Sequence, residues 1–365
     1  METIVMDKTF VKKILVTGVG GPTPRSFVRA VKYFGGAHKS SFEFIGVDSN
    51  PLAYGLYDRD LFEKSFVVPR ADAEQYWDVM NAVVEENAID AAIVLPETEV
   101  LEWSRNHSKL KRTIKLHLPD YRLAKELVNK YQLHTLLNGT EYVPCFLKLK
   151  PEYYSFDNLK NELGGTFWVR STEGSSGLGS LKIESPHVLT QWITMNPDVS
   201  EFIATEYLPG RNMACKLLYF NDKLLASACA ERVKYIMAKT APSGITGNTS
   251  FGRLLNEPRL VDISADALNV ISKKIGTGLN GIFTVDYKED VNGKPKITEI
   301  NIRHVAFTSS IAAGGANLPL DTLLVLFDEE SRYSKATHYT FKEPYVFLRD
   351  VDAYPIVMKE SDLLK

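Results

Sequence analysis

Two carboxylates, an amide and an arginine crowd the stretch around residue 290: Asp286, Glu299, Asn301 and Arg303. Between them stands Asn292-Gly293, a dipeptide that favours the type I′ turn of a two-residue β-hairpin. With those two residues as the loop, Val291 faces Lys294, and counting back along both strands sets Asp286 opposite Glu299. Strand alternation then puts Thr284, Asp286, Glu299, Asn301 and Arg303 on one face, and Phe283, Val285, Ile300 and Ile302 on the other. Like charges directly opposite destabilise a sheet, and a cation between them removes the repulsion. Oxygen ligands without Cys or His select a hard ion, Mg²⁺ with Mn²⁺ as its substitute, held jointly with substrate phosphates. The alternative is a solvated hairpin face, and a register slipped by one residue, or a longer loop, would separate the pair.

Two glycine clusters could also do chemistry. Thr172-Glu173-Gly174-Ser175-Ser176-Gly177-Leu178-Gly179 lies between the apparent strands Thr166–Arg170 and Ser180–Ile183. It lacks the Gly-Lys-Ser/Thr continuation of a P-loop, which leaves either a plain mobile hairpin or a donor-rich flap. In a flap, backbone N–H groups and serine hydroxyls wrap phosphate oxygens, and Arg170 supplies charge. Gly18-Val-Gly20-Gly21-Pro22-Thr23-Pro24-Arg25 follows a strand, with Asp48 ending the next strand as a ribose-binding acid would. Thr23 replaces the third glycine, and the two prolines remove donors. The cluster therefore reads as a dinucleotide loop, a tight strand-to-helix turn, or a helix start that receives a substrate anion near Arg25.

The elements that must position these residues fall into two parts. Strands at Lys13–Thr17, Glu43–Val47, Ser65–Val68 and Ala91–Leu95 alternate with helices at Arg25–Phe34, Ala73–Glu86 and Glu97–Leu110, the pattern of a parallel, Rossmann-like α/β sheet. After Leu118-Pro119-Asp120 comes a helix (Tyr121–Tyr131), then strands, hairpins and helices of α+β type. The stretch from Lys234 to Gly252, rich in Gly, Ser, Thr and Ala, is the candidate mobile loop, and Arg232 and Lys234 precede it on a strand-like segment. They are either surface cations or groups aimed at the site.

A chain of 365 residues is long enough for two or three domains. A net charge of −2 offers no global field for nucleic acid, so phosphate binding must be local. No apolar run approaches the roughly 18 residues of a membrane span, and Gly18 and Gly20-Gly21 interrupt Ile14-Leu15-Val16 before it can form a signal segment. Three cysteines, Cys145, Cys215 and Cys229, without metal spacing, suit buried thiols in a reducing compartment, so a cytoplasmic location is expected.

Together these pieces resemble the ATP-grasp superfamily, in particular its carbamoyl phosphate synthetase-like branch of carboxylate-amine ligases. The resemblance spans nearly the whole chain: Ile14–Gly18 and Gly46-Val47-Asp48, Asn129-Lys130, Arg170 with the flap, Glu206-Tyr207-Leu208-Pro209-Gly210, and Asp286, Glu299 and Asn301, whose spacing is its most specific match. It implies a Rossmann-like pre-ATP-grasp domain (1–117), a lid subdomain with the flap (118–208) and a C-terminal subdomain with the metal site (209–365). It also implies that Lys130, Arg170 and the flap residues Gly174, Ser175, Ser176 and Gly177 hold ATP phosphates, and that Glu206, Tyr207 and Leu208 form the adenine hinge. Asp286, Glu299 and Asn301 would bind magnesium, and Arg303 would stabilise the acyl phosphate or its carboxylate precursor, with Arg232 near the γ-phosphate or the substrate. Arginine at position 170, where most of the superfamily has lysine, favours the named branch.

Two positions depart from the pattern. Asn212 stands where a glutamate commonly bonds the ribose, and Lys216 where many relatives have aspartate, to contact phosphate or substrate or to point to solvent. His304 is a minor site candidate. The implied reaction joins a small-molecule carboxylate to an amine at the expense of ATP, without nucleic acid or membrane and compatibly with a homodimer. Two other readings are an NAD(P)-dependent oxidoreductase built on the first glycine cluster and a non-catalytic ATP-binding module.

Overall fold

The computed structural model describes residues 11–174, 179–327, 333, 335–351 and 364. The first part runs β1 (Lys12–Thr17), α1 (Pro22–Phe34), β2 (Phe42–Asp48), β3 (Lys64–Val67), α2 (Tyr76–Glu86), β4 (Ala91–Ile93), α3 (Glu97–Asn106) and β5 (Lys115–Leu116). Its strands are parallel in the order β3-β2-β1-β4-β5. The order reverses between β1 and β4, and a crevice opens outside their carboxyl ends. Gly18 closes β1 there with φ +66°, and a Cβ on it would lie 2.3 Å from Cγ of Pro96, so only glycine lets the β1 and β4 loops meet. Helix α1 begins three residues before the apolar spacing predicts, because Pro22 and Pro24 sit in the first turn, where an N–H has no partner to lose.

Next come α4 (Tyr121–Val128) and α5 (Lys130–Leu136) in place of the single helix expected over Tyr121–Tyr131. Asn129 is extended (φ −92°, ψ 111°), and its side chain caps α5 by accepting from the Gln132 N–H at 3.1 Å. The break places Lys130 at the first position of α5. The second sheet comprises β6 (Phe146–Leu149), α6 (Phe156–Leu163), β7 (Phe167–Ser171), β8 (Leu181–Ile183), α7 (Pro186–Met195) and β9 (Phe202–Glu206). It is antiparallel in the order β6-β9-β7-β8 over a small core that includes Phe167, Leu189, Trp192 and Phe202.

The largest sheet is built from β10 (Asn212–Phe220), β11 (Lys223–Tyr235), β12 (Thr249–Leu255), α8 (Pro258–Ile275), β13 (Gly281–Glu289), β14 (Pro295–Asn301), α9 (Thr308–Ala313), α10 (Leu318–Leu326), β15 (Thr337–His338) and β16 (Val346–Leu348). Its order is β14-β13-β10-β11-β12-β16, with β15 against β11. Cys215, Leu217, Phe283, Val285 and Ile300 face a core shared with α8, while Ala214, Leu218 and Ile282 face the α9–α10 side. Helix α1 docks there too: the Ser26 and Ser309 hydroxyls lie 2.9 Å apart, and the Asn317 amide donates to the Ala30 carbonyl at 2.8 Å. Cys215 and Cys229 are buried opposite each other, but Cys145 is exposed at the start of the β6 segment, so the expectation of three buried thiols fails for that residue.

Candidate active site

Asp286 pairs directly with Glu299, as the turn count requires, but by another route. The loop holds three residues, 291–293, rather than two: the Asp290 N–H donates to the Lys294 carbonyl at 2.9 Å, and Gly293 takes φ +73°. Beyond it Tyr287 pairs with Ile297, and the register shifts by one residue before Asp286. Thr298 is the extra residue of this bulge. The longer loop and the bulge cancel, so Glu299 faces Asp286 and not the opposite surface.

The bulge also serves the site. Thr298 Oγ1 donates to the Asp286 carbonyl at 3.1 Å, and the Thr298 carbonyl accepts a hydrogen bond from the buried Arg170 guanidinium at the end of β7. The Asn301 amide nitrogen reaches both Asp286 Oδ2 (3.3 Å) and Glu299 Oε1 (3.4 Å). Arg232 pairs with Asp286 Oδ2 at 3.1 Å and is fixed by Thr249 Oγ1 (3.1 Å) and the Gly247 carbonyl (2.9 Å). Asp286 Oδ1 and the Nε atoms of Arg170 and Arg303 are buried without hydrogen-bond partners in the protein. Such orphans fit a site built to receive oxygen-rich ligands.

Electrostatics divides the two carboxyls. Burial, reinforced by Glu299 and only partly opposed by Arg232, pushes Asp286 up. Burial also acts upward on Glu299, but Lys130, Arg170 and Arg232 outweigh it and hold that carboxyl below its ordinary value. A divalent cation would remove the cost of ionising Asp286. Among the described residues no three His, Cys, Asp or Glu side chains gather as a metal cluster; the candidate ligands here are two carboxylates and an amide. A donor set that small suits Mg²⁺ completed by phosphate oxygens and water.

A cleft of about 460 Å³ joins these residues to the β1–β4 crevice, lined by Gly18, Thr23, Glu97, Arg232, Asp286 and Arg303 among others. Lys130 Nζ donates to the Gly174 carbonyl at 2.7 Å, which ties α5 to the flap; Ser175, Ser176 and Gly177 lie outside the described residues. In the expected hinge segment, the backbone N–H and side chain of Glu206 bond Cys145, at 3.0 and 3.1 Å, and Leu208 is buried. Tyr207 lies under the Lys182 ammonium. Asn212 opens β10 and pairs in register with Lys288.

Three expectations change. Lys216 neither meets solvent nor enters the cleft: it is fully buried, bonded to Thr308 Oγ1 and 3.4 Å from His304 Nδ1. His304 is likewise buried, against Phe27 and Thr322. Asp48, the supposed ribose acid, accepts from the Gly20 N–H at 2.7 Å and from Asn50 at 2.9 Å, so its oxygens hold the glycine turn together. Glu97 escaped the sequence reading. It starts α3 at the end of the β4 loop, where burial raises its pKa against the pull of Arg303 and Lys130. Its position after a parallel strand was the available signal.

A second cavity of about 460 Å³ lies on the other side of Gly18 and Pro96, lined by Asp48, Arg70, Glu99 and Arg105. Its buried acid is already engaged: the Tyr76 hydroxyl donates to Glu99 at 2.7 Å and accepts from Trp103 Nε1. The cleft beside Asp286 is the one that collects unpartnered donors and acceptors.

This chain has the ATP-grasp fold. It is similar to N5-carboxyaminoimidazole synthetase from Staphylococcus aureus, solved with ADP, at a TM-score of 0.68 and 16% identity, over 93% of this chain and 82% of that one. The L-amino acid ligase of Bacillus licheniformis gives a TM-score of 0.63 and 14% identity over 87% and 74%. For D-alanine–D-alanine ligase from Bacillus anthracis the values are 0.55 and 14%, over 88% and 98%. No family model and no curated protein matches the sequence. No helix among the described residues is long and apolar enough to cross a membrane.

Proposed function

We propose that this protein is an ATP-dependent ligase that activates a substrate carboxylate as an acyl phosphate and couples it to an amine. The observation that carries the reading is the Asp286–Glu299–Asn301 set beside Arg170 and Arg303, whose Nε atoms are buried without partners. Similar folds bound to ADP, and to ADP with magnesium in a biotin carboxylase domain, support it. Asp286, Glu299 and Asn301 would hold Mg²⁺, or Mn²⁺ in its place, which when bound neutralises phosphate charge and polarises the transferred group.

The chain's own residues do the rest by position and charge. Lys130 and Arg170 take the phosphates under the flap, and the Glu206–Leu208 segment seats adenine. An oxygen of the substrate carboxylate attacks the γ-phosphorus, forming one P–O bond while the bond to the ADP oxygen breaks. The amine nitrogen then attacks the acyl carbon; the C–N bond forms, inorganic phosphate leaves and the amine proton is lost to solvent. Arg303 and Arg232 offer fixed cations to the charge that develops on the transferring group, and no protein nucleophile is required. The division of the chain at residues 117 and 208 and a cytoplasmic, dimer-compatible enzyme belong to the same reading.

The test is a screen of carboxylate and amine pools for ADP and phosphate release, with hydroxylamine added to capture acyl phosphate as hydroxamate. Hydroxamate formation that depends on one carboxylate supports the proposal. Slow ATP hydrolysis that no carboxylate accelerates would point to the non-catalytic module. Mg·ATP should raise the melting temperature and NAD(P)H should leave it unchanged.

A further inference from the structure

The ligase reading seats the nucleotide, the metal and the acyl phosphate but leaves the amine without a residue to meet. Glu97 is a cleft group that those roles do not use. It opens α3 directly after the β4 loop and lines the cleft together with Asp286, Glu299 and Arg303. It is not a third metal ligand: among the described residues no three His, Cys, Asp or Glu side chains gather to hold an ion. The cavity thus has a cation, Arg303, from the hairpin side and a separate carboxylate, Glu97, from the β4–α3 side.

The helix does not account for that carboxylate. Acids in a first turn favour the helix dipole, and α3 has two, Glu97 and Glu99, but no side chain caps its amino end. Glu99 accepts from the Tyr76 hydroxyl at 2.7 Å. Glu97, half-buried, makes no hydrogen bond or ion pair among the described residues, and its charged neighbours act on it only through space. Those neighbours are Glu299 on β14, Arg303 just after it, Lys130 on α5 and Glu173 beside the flap. Burial raises the Glu97 pKa, opposed by the two cations and reinforced by the two acids. A partly desolvated carboxylate without a partner is a place for a cationic donor, and of the two organic reactants of a ligase only the amine can arrive as one.

We propose that Glu97 receives the amine co-substrate as its ammonium ion and accepts a proton from it. The inference rests on the ligase reading, and it defines the co-substrate as a basic amine rather than a carboxamide or another uncharged nitrogen. Burial disfavours both the carboxylate and the ammonium, so it brings their proton affinities together. The Glu97 carboxylate takes one ammonium proton and frees the nitrogen lone pair, which attacks the acyl carbon. The C–N bond forms, the C–O bond to phosphate breaks, and the departing phosphate keeps that electron pair and takes the second nitrogen proton. Glu97 returns its own proton to water as the products leave.

Two nucleophiles competing for one acyl phosphate test it. The unsubstituted protein, Glu97→Gln and Glu97→Asp are each given Mg·ATP and the carboxylate pool, with either hydroxylamine or an amine pool of ammonium chloride and amino acids. Hydroxylamine is uncharged at pH 7.5 and has no ammonium proton to give up. Relative to hydroxamate, amide formation should fall by about a hundredfold or more in Glu97→Gln, the range of a lost general base, and recover about tenfold in Glu97→Asp. The unliganded melting temperature of Glu97→Gln should equal or exceed that of the unsubstituted protein; an acid that merely started α3 would lower it. An unchanged ratio of amide to hydroxamate, an equal loss of both products, or hydroxamate formation while no amine in the pool couples overturns the inference and leaves carboxylate activation standing. Absence of hydroxamate with every carboxylate in the unsubstituted protein removes the ligase reading, and the inference with it.

Discussion

Arg170 on β7 donates to the main-chain carbonyl of Thr298, the bulge residue of β14, and so joins the smaller antiparallel sheet to the β13–β14 hairpin through one side chain. The same guanidinium helps keep Glu299 ionised, after burial has been overcome. Replacing it by methionine removes the join and a neighbouring cation together. Arg170→Met should weaken Mg·ATP binding at least tenfold in calorimetry and destabilise the ligand-free protein by about 2 kcal/mol, the scale of an uncompensated buried carboxylate and a lost charged hydrogen bond. Unchanged Mg·ATP affinity would contradict its placement at the phosphates.

The two carboxylates should respond differently to neutralisation. Because the fold holds Glu299 low, its charge contributes stability above the unfolded carboxyl pKa, and this is lost only as pH falls through the lower folded value. Asp286 is held high, so its charge costs stability at neutral pH. Glu299→Gln should therefore lower the melting temperature of the ligand-free protein at pH 7.5, by roughly 3 kcal/mol in stability, while Asp286→Asn, which removes that cost but leaves Arg232 without its ion pair, should change it little. Both should abolish turnover and the Mg·ATP-dependent rise in melting temperature. Retained full activity in either variant would remove the metal-site reading.

Much of this site was legible in the sequence, and the hairpin shows why. Strand alternation fixes which residues share a face, and burial of Phe283, Val285, Ile300 and Ile302 enforces it. The loop length was misjudged by one residue, yet the pairing came out right because the core tolerates only a register in which the bulge compensates. Lys130 was placed on a longer helix, since Asn129 reads equally well as a helix interior or a cap until its backbone is known. What the sequence could not show were meetings between distant segments. Glu97 and Arg303 in one cleft, Ser26 against Ser309, and Lys216 beside Thr308 depend on how distant elements dock, and no local spacing encodes that.

One such docking contact depends on a missing side chain. A Cβ on Gly55 would lie 2.0 Å from the Val19 carbonyl oxygen and 2.6 Å from its carbon, both backbone atoms of the turn after β1. Nothing there can swing aside. Gly55→Ala should destabilise the protein by about 2 kcal/mol or more, read as a lower denaturation midpoint with an unchanged denaturant slope. Because Val19 precedes the Gly20–Pro24 segment beside the cleft, the same variant should also lose substrate affinity. An alanine variant of unaltered midpoint would show that the turn packs less tightly than described.

Lys216 offers the sharpest pH dependence. Its ammonium is fully buried on β10 with a hydroxyl and a neutral imidazole as neighbours, and burial lowers its pKa to about 7. His304 beside it is held well below its ordinary value, first by burial and then by Lys216, so the pair is uncharged once pH exceeds 7. The unfolded chain keeps lysine protonated up to its ordinary value near 10.5, so between about 7 and 10.5 it binds more protons than the native state. Stability must therefore rise with pH across that window from this group, by a few kcal/mol on the order of magnitude set by 1.4 kcal/mol per pKa unit, and the full cost persists below pH 7. Lys216→Met, of similar length and without a charge to desolvate, should be more stable than the unsubstituted protein at pH 7 and should lack the alkaline gain. Denaturant titrations at pH 7, 8.5 and 9.5 measure the difference between the two curves; parallel curves would mean that Lys216 finds an anionic partner in solution.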